Sequence, residues 1–341
     1  MRRRGSWFPT TALLMVLIGT AWATLWARMG ARLGARRAAV ATAAQSRPQS
    51  HTPEWLIAAG GKMAFDSASV KQNTPPYPYR SGSSFPLGPG DVYMPNGGFF
   101  RAANFPLANY ILFAYKITPS QEQSVFSQLP NWAKTERFDI EARAEGNPTK
   151  DQMRLMMQAL LADRFRLQAH YETRQVPVFA LLVDSPGRLG PLLQKHPEGS
   201  PCPTTPVDPS PPPAAPPQEV DSRFPETCGG IMPMTPSAPG RLRGGARNVT
   251  MELIASSMTG GGSGVDRPVV DKTDLTGRFD VAIEFSPQYG AGLPANSNFP
   301  RDPSGPTFAE ALRDQLGLRL EPQMGAVDLL IIDYIEQPLR N

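Results

Sequence analysis

The sequence predicts an α+β fold: two related helix-strand-helix-strand-strand units, joined by a Pro-rich insertion and preceded by an N-terminal apolar helix. Three observations carry this expectation. "RFDIEA" at 137–142 returns as "RFDVAIE" at 278–284. The same order of periodic segments surrounds both copies. Between them, residues 185–240 hold 16 of the 38 prolines, including "PSPPPAAPP", and such a run favours polyproline II over regular pairing.

The chain starts with a charge asymmetry. Residues 1–50 hold eight of the 34 basic groups and no acidic one, which leaves 26 basic against 30 acidic residues in the remainder. The basic excess therefore sits at one end. A nucleic-acid binder needs a cationic face on its folded part, so that class is set aside. "MRRR" followed by an uncharged stretch over residues 7–27, with "ALLMVLIGTAWATLWA" inside it, is long enough to cross a bilayer, which takes about 20 apolar residues. "AWA" at 21–23 also fits a cleavage site. Residues 1–27 are thus expected to be a signal peptide or a membrane anchor, and charge does not choose between them because Arg28, Arg32, Arg36 and Arg37 follow the apolar run. The expected location is outside the cytoplasm, anchored on the periplasmic side of the inner membrane or secreted. Residues 28–61 read as a flexible linker.

The first unit spans 62–184. It opens with a strand candidate, "MAFDSASVKQN", and a Pro/Gly/Ser loop. In "NFPLANYILFAY", Leu107, Tyr110, Ile111, Ala114 and Tyr115 fall on one helical face. "RFDIEA" reads as a strand. Thr149 and Gln152 form a capping box ahead of the stripe Met153, Met156, Met157, Leu160, Leu161. "FRL" and "PVFALLVD" close the unit as strands. The second unit, 241–341, repeats the order. Met251, Ile254, Ala255 and Met258 make a helical face, with Asn248 serving the approach to it. "RFDVAIE" follows, then the capping box of Thr307 and Glu310 before Phe308, Ala311, Leu312, Gln315 and Leu316. Gly317 is placed to end that helix, and "LRL" and "AVDLLIID" complete the set. Five elements in the same order make accident a poor explanation.

The blocks "FDSASVKQN", "GGFFRAANFPLANYILFAY", "RPVVDKTDLTGRFDVAIEF" and "LRDQLGLRLEPQMGAVDLLIIDYIEQP" resemble the soil-associated exported family, a bacterial domain of unknown function, over residues 63–338. In the family pattern an apolar residue stands where this chain has Ser67. The helix-strand units also resemble, by architecture, the short N-terminal domains of secretins and TonB-dependent receptors. These resemblances imply an envelope location and an α+β fold. They supply no activity and no catalytic residue. Some members of the first family are joined to membrane metallopeptidases of the beta-lactam-sensor type, which this chain lacks.

The residues themselves offer little catalytic chemistry. The three histidines, His51, His170 and His196, are scattered, and neither HExxH nor CxxC occurs. A zinc site needs three or four clustered ligands, so no metal and no cofactor is expected. "GGGSG" at 260–264 lacks the Lys-Ser/Thr of a phosphate loop and reads as a connecting loop. "DKTDLTG" at 271–277 is not a Lys-Thr-Gly signature, and Ser-x-x-Lys and Gly-x-Ser-x-Gly are absent. Asp139 with Glu141, and Asp280 with Glu284, share strand faces and could pair for acid–base hydrolysis, as could Asp271. A solvated strand face explains them more simply. Cys202 and Cys228, the only cysteines, are expected to form a disulfide in an exported protein. Tyr77, Tyr79, Phe99, Phe100 and Trp132 lie near loops as a possible ligand surface. The expected function is a non-enzymatic binding module for an envelope protein or cell-wall glycan. A hydrolase with an unrecognised carboxylate site, and a sensory domain acting with a membrane metallopeptidase, are the alternatives.

Overall fold

A computed structural model describes residues 49–74, 80–199, 223–288 and 302–338. The expected N-terminal apolar helix, residues 28–48 of the expected linker, Tyr77, Tyr79 and Cys202 lie outside the described residues. The rest of that linker is a correction: residues 49–51 pair with a long strand of the fold and 54–58 form a helix, so the flexible reading of 28–61 does not hold at its end. Among those described, no helix is long and apolar enough to cross a membrane.

Strand β1 (Gln49–His51) precedes helix α1 (Glu54–Ala58), strand β2 (Ser67–Asn73), the short β3 (Gly82–Ser83) and β4 (Phe99–Pro106). Helices α2 (Leu107–Ala114), α3 (Pro119–Gln128) and α4 (Asn131–Thr135) follow, then β5 (Arg137–Arg143), α5 (Lys150–Phe165) and the long β6 (Gln168–Val183). Next come β7 (Leu193–Lys195), β8 (Met232–Met234), β9 (Leu242–Val249), α6 (Met251–Ser256), β10 (Val269–Asp271) and β11 (Phe279–Phe285). Helix α7 (Phe308–Ala311) runs into a π turn (Leu312–Leu316), and β12 (Leu318–Tyr334) ends the fold. The mixture of helix and sheet is the α+β class expected.

Both expected capping boxes are formed. Thr149 and Gln152 exchange hydrogen bonds at the start of α5, and Thr307 and Glu310 do so at α7. The stripe Met153, Met156, Met157, Leu160, Leu161 is buried throughout. Gln315, the one polar member of the later stripe, bridges to strand β11. Its Nε2 donates to the Glu284 carbonyl at 2.8 Å, and the Glu284 N–H donates to its Oε1 at 2.9 Å. Arg166 and Gly317 then take left-handed backbone, φ 53° and 70°, and turn each helix into a long strand.

Three four-stranded sheets result. The first has the order β2-β5-β4-β3 and the second β7-β11-β9-β8. In the third, β6 carries β1 and β10 and pairs antiparallel with β12, from Leu318 opposite Val183 to Tyr334 opposite Gln168. The sequence splits this pair into four short strands. The chain instead runs straight through, and Pro177 and Pro322 fall in its exposed middle. At about 3.3 Å per residue the pair is some 50 Å long, enough to serve two cores. Tyr171 and Leu330 pack into the core of the first sheet, and Leu181 and Leu318 into that of the second.

The Pro-rich segment is more than a connector. It contributes β7 and β8, which pair with β11 and β9 as the two edges of the second sheet. Residues 200–222 within it lie outside the described residues.

Candidate ligand cavity

The repeated "RFD" has a local job in both sheets. In β4, Ala103 and Asn104 together face the single residue Asp139 of β5, and in β9 Arg247 and Asn248 face the single residue Asp280 of β11. Each is a β-bulge, an extra residue that bends its strand. The bulged asparagine is left-handed in both, φ 66° at Asn104 and 54° at Asn248, a conformation asparagine tolerates better than most residues. Its N–H donates to the aspartate Oδ1, at 2.7 Å for Asp139 and 3.1 Å for Asp280. The arginine two residues earlier donates to its carbonyl, Arg137 at 2.7 Å and Arg278 at 2.9 Å. Three residues after each asparagine a helix begins, α2 or α6, laid across the inner face of the sheet.

Counting from these asparagines places the inner-face residues of the two halves side by side. Phe100 on β4 corresponds to Gly244 on β9, and Tyr110 and Phe113 on or beside α2 correspond to Ile254 and Ser257. In the first half Phe85, Phe100 and Phe113 form a cluster with ring centroids 5.6–5.7 Å apart, all essentially inaccessible. In the second half Gly244 and Ser257 border a partly open cavity of about 170 Å³, lined by Ile254, Met258, Val281, Ile283, Phe285, Phe308 and Leu316. Ile283 faces Gly244 across the ladder where Ala142 faces Phe100, so part of the space is recovered, but not all of it.

The glycine run that resembles a phosphate loop forms the rim. Gly260, Gly261 and Ser263 line the cavity, and the Ser263 hydroxyl donates to the Met258 and Gly260 carbonyls at 2.9 and 2.7 Å. Left-handed backbone at Gly260, Gly261 and Gly262 (φ 77°, 57° and 80°) fixes this turn. Thr259, at the same rim, has a buried Oγ1 with no hydrogen-bond partner among the described residues.

The carboxylates are bound into structure. Asp139 serves its bulge and accepts from Asn73 Nδ2 at 3.0 Å. Glu141 is exposed and faces Arg101 at 3.2 Å. Asp271 accepts from the Thr273 N–H and hydroxyl at 2.9 and 2.8 Å. Asp280 is buried, with His196 Nδ1 at 2.7 Å and Arg247 Nε at 3.8 Å. Glu284 is also buried. Burial pushes its carboxyl up, but the Ser237 hydroxyl and N–H and the Arg241 guanidinium outweigh that and hold it below the usual range. No two of them are placed as a free acid–base pair. Among the described residues, no group of three or more His, Cys, Asp or Glu could hold a metal.

The expected aromatic surface is dispersed. Phe100 is a correction: at 0% exposure it is core, because it points at the helices and not at the loop beside it. Phe99 is half-buried under the Arg143 guanidinium, 5.3 Å from its ring. Trp132 is half-buried and stacked on Phe165. His51 and His196, scattered in the sequence, both have carboxylate partners, Asp328 at 2.9 Å and Asp280. His170 is partly exposed, beside Asp333 and Glu172. Cys228 is buried and is not a free thiol, while its expected mate lies outside the described residues. The cavity itself escaped the sequence reading. The available signal was the replacement of Phe100 and Phe113 by Gly244 and Ser257 once the two "RFD" strands are aligned.

No curated protein matches the chain, and no solved structure does. One family profile matches residues 108–335, and its description is a protein of unknown function, DUF3738.

Proposed function

Because the chain belongs to DUF3738, a family whose description assigns no activity, we propose from its own residues that it is a non-enzymatic binding protein of the cell envelope. Its two halves are related units, and the second holds a small, largely apolar ligand between β9, β11, α6 and α7. The cavity is the observation that carries this reading. A second supports it: each candidate carboxylate is committed to a bulge, a turn or an ion pair. Export rests on the apolar N-terminal run in the sequence. An envelope protein or a cell-wall component is the partner to which the loaded body would be presented.

The test is to expose the purified full chain to an envelope extract and weigh it by native mass spectrometry, with crosslinking in parallel. A bound small molecule that Ser257→Phe abolishes supports the reading, and crosslinked species name the partner. If the chain emerges with no added mass, or if it turns over extract components, the binding reading is wrong.

A further inference from the structure

We infer that the outer edge of β12 over residues 320–326 is a docking site for an extended segment of another protein, which joins the sheet as an antiparallel strand with apolar residues at alternate positions. This names the surface for the protein partner of the reading above, rests on that reading for the existence of such a partner, and owes nothing to the cavity.

Alternate residues of a strand turn their N–H and C=O groups to opposite edges. On β12 the even-numbered residues turn away from β6, since the Asp328 and Leu330 carbonyls and the Ile332 N–H bond to glutamines of α3. Pro322 belongs to this set, so its missing N–H costs the ladder with β6 nothing. From Leu320 to Ala326 the same edge presents the N–H groups of Leu320, Met324 and Ala326 and the carbonyls of Leu320, Pro322, Met324 and Ala326. Among the described residues no group bonds to them.

The other half shows what such an edge accepts. Arg166 and Gly317 are the equivalent left-handed residues ahead of β6 and β12. Counting from them, Tyr171 and Thr173 correspond to Pro322 and Met324, and Phe179 and Leu181 to Leu330 and Ile332. On β6 both places are filled, by β1 running antiparallel at Tyr171 and Thr173 and by β10 at Phe179 and Leu181. On β12, Gln128 takes the place of β10, while the place of β1 is open among the described residues. The filled counterpart holds a short single strand and not the rim of a second sheet, so a lone extended segment is the occupant that fits.

Side chains set its chemistry. Directly opposed residues of an antiparallel pair project on the same face. Leu320, Pro322, Met324 and Ala326 are all apolar, and Met324 is 61% exposed. Glu321, Gln323 and Gly325 lie on the other face, where Arg319 pairs with Glu321. The incoming segment is therefore apolar at every second residue and polar but uncharged between. Exposed edges are ordinarily blunted by charge, proline or a bulge. Pro322 removes one donor here, but neither a charge nor a bulge follows it through Val327, and such an edge recruits strands.

The experiment adds to the full chain a peptide of seven residues alternating Val and Thr, with one lysine outside each end, and follows amide hydrogen exchange by NMR. At a free peptide concentration ten times its Kd, the amides of Leu320, Met324 and Ala326 are expected to exchange about tenfold more slowly, because exchange then runs from the unbound edge. The amides of Gln323 and Gly325, which face β6, should not change. N-methylation of the valines, whose amides face β12, is expected to abolish the slowing, and N-methylation of the threonines to leave it. Met324→Pro removes one edge donor without touching the ladder to β6, and Met324→Lys puts a charge on the edge. Each should weaken binding about tenfold, and the pair guards against one variant that fails to fold. No slowing, or slowing that survives methylation of the valines, would overturn the inference. So would amides already slow without peptide: dependence on protein concentration would assign the edge to a second copy, and independence to the chain itself. A small molecule bound from the envelope extract alongside a silent edge would leave the binding reading standing and discard the strand alone.

Discussion

Asn104 and Asn248 are the same structural device used twice. Each is a left-handed bulge residue whose N–H rests on the aspartate of an Arg-Phe-Asp strand and whose carbonyl is held by the arginine. The two devices differ in depth. Asp139 is partly exposed, whereas Asp280 is 1% exposed and also satisfies His196. Removing a buried acceptor leaves its donors unmatched. Asp280→Ala should therefore cost about 3 kcal/mol and Asp139→Ala about 1–2 kcal/mol. Urea unfolding of the two variants checks this, and equal losses would contradict the depth argument.

The outer edge of β12 is the natural place for unwanted strand pairing, and glutamines cover it from Asp328 to Ile332. Gln128 donates to the Leu330 carbonyl at 2.9 Å and accepts from the Ile332 N–H at 3.0 Å, while Gln121 donates to the Asp328 carbonyl at 2.7 Å. Two side chains from α3 thereby stand in for a neighbouring strand. Gln128→Ala should cost about 1–2 kcal/mol and speed hydrogen exchange at the Ile332 amide. Unchanged exchange there would show that the edge is protected by something else.

Lys150 gives a pH dependence. Burial, reinforced by the nearby Arg154 charge, pulls its ammonium down to about 6 from the usual 10.5. The unfolded chain then binds one more proton than the folded one between those values. Stability contributed by this group must therefore rise with pH across about 6 to 10, by up to roughly 1.4 kcal/mol per unit. Lys150→Met should flatten the slope and raise stability near pH 7. A wild-type melting temperature that does not climb between pH 6.5 and 9 would refute it.

The two cysteines offer a covalent test. A bridge from Cys202 to Cys228 would close a loop worth about 3 kcal/mol in the chain-entropy model. Alkylation should modify neither cysteine without reductant and both with it, and the melting temperature should fall on reduction. Equal labelling under both conditions would remove the bridge from the account.

Local sequence determined the local structure. The capping boxes of Thr149 and Thr307 fixed helix starts because their hydrogen bonds span three residues. The apolar stripe of α5 was legible because 3.6-residue periodicity is a property of the segment itself. The repeated "RFD" pointed to equivalent strands, and Asn248 to a helix approach, because bulge and helix lie next to each other in the chain.

Tertiary structure decided what depends on partners far along the chain. Residues 168–183 and 318–334 became one continuous pair only because each lies against the other. The edge strands inside the Pro-rich segment formed because β9 and β11 offered free ladders to them. Phe100 looked like a loop aromatic, and the alternation along β4 turned it inward. The cavity is the clearest case. Gly244, Ser257 and Thr259 are unremarkable as letters, and they acquire meaning when the sheet and helix that bury Phe100 and Phe113 in one half bring them together in the other. A segment can encode its own periodicity, but the space it leaves open is set by what packs against it.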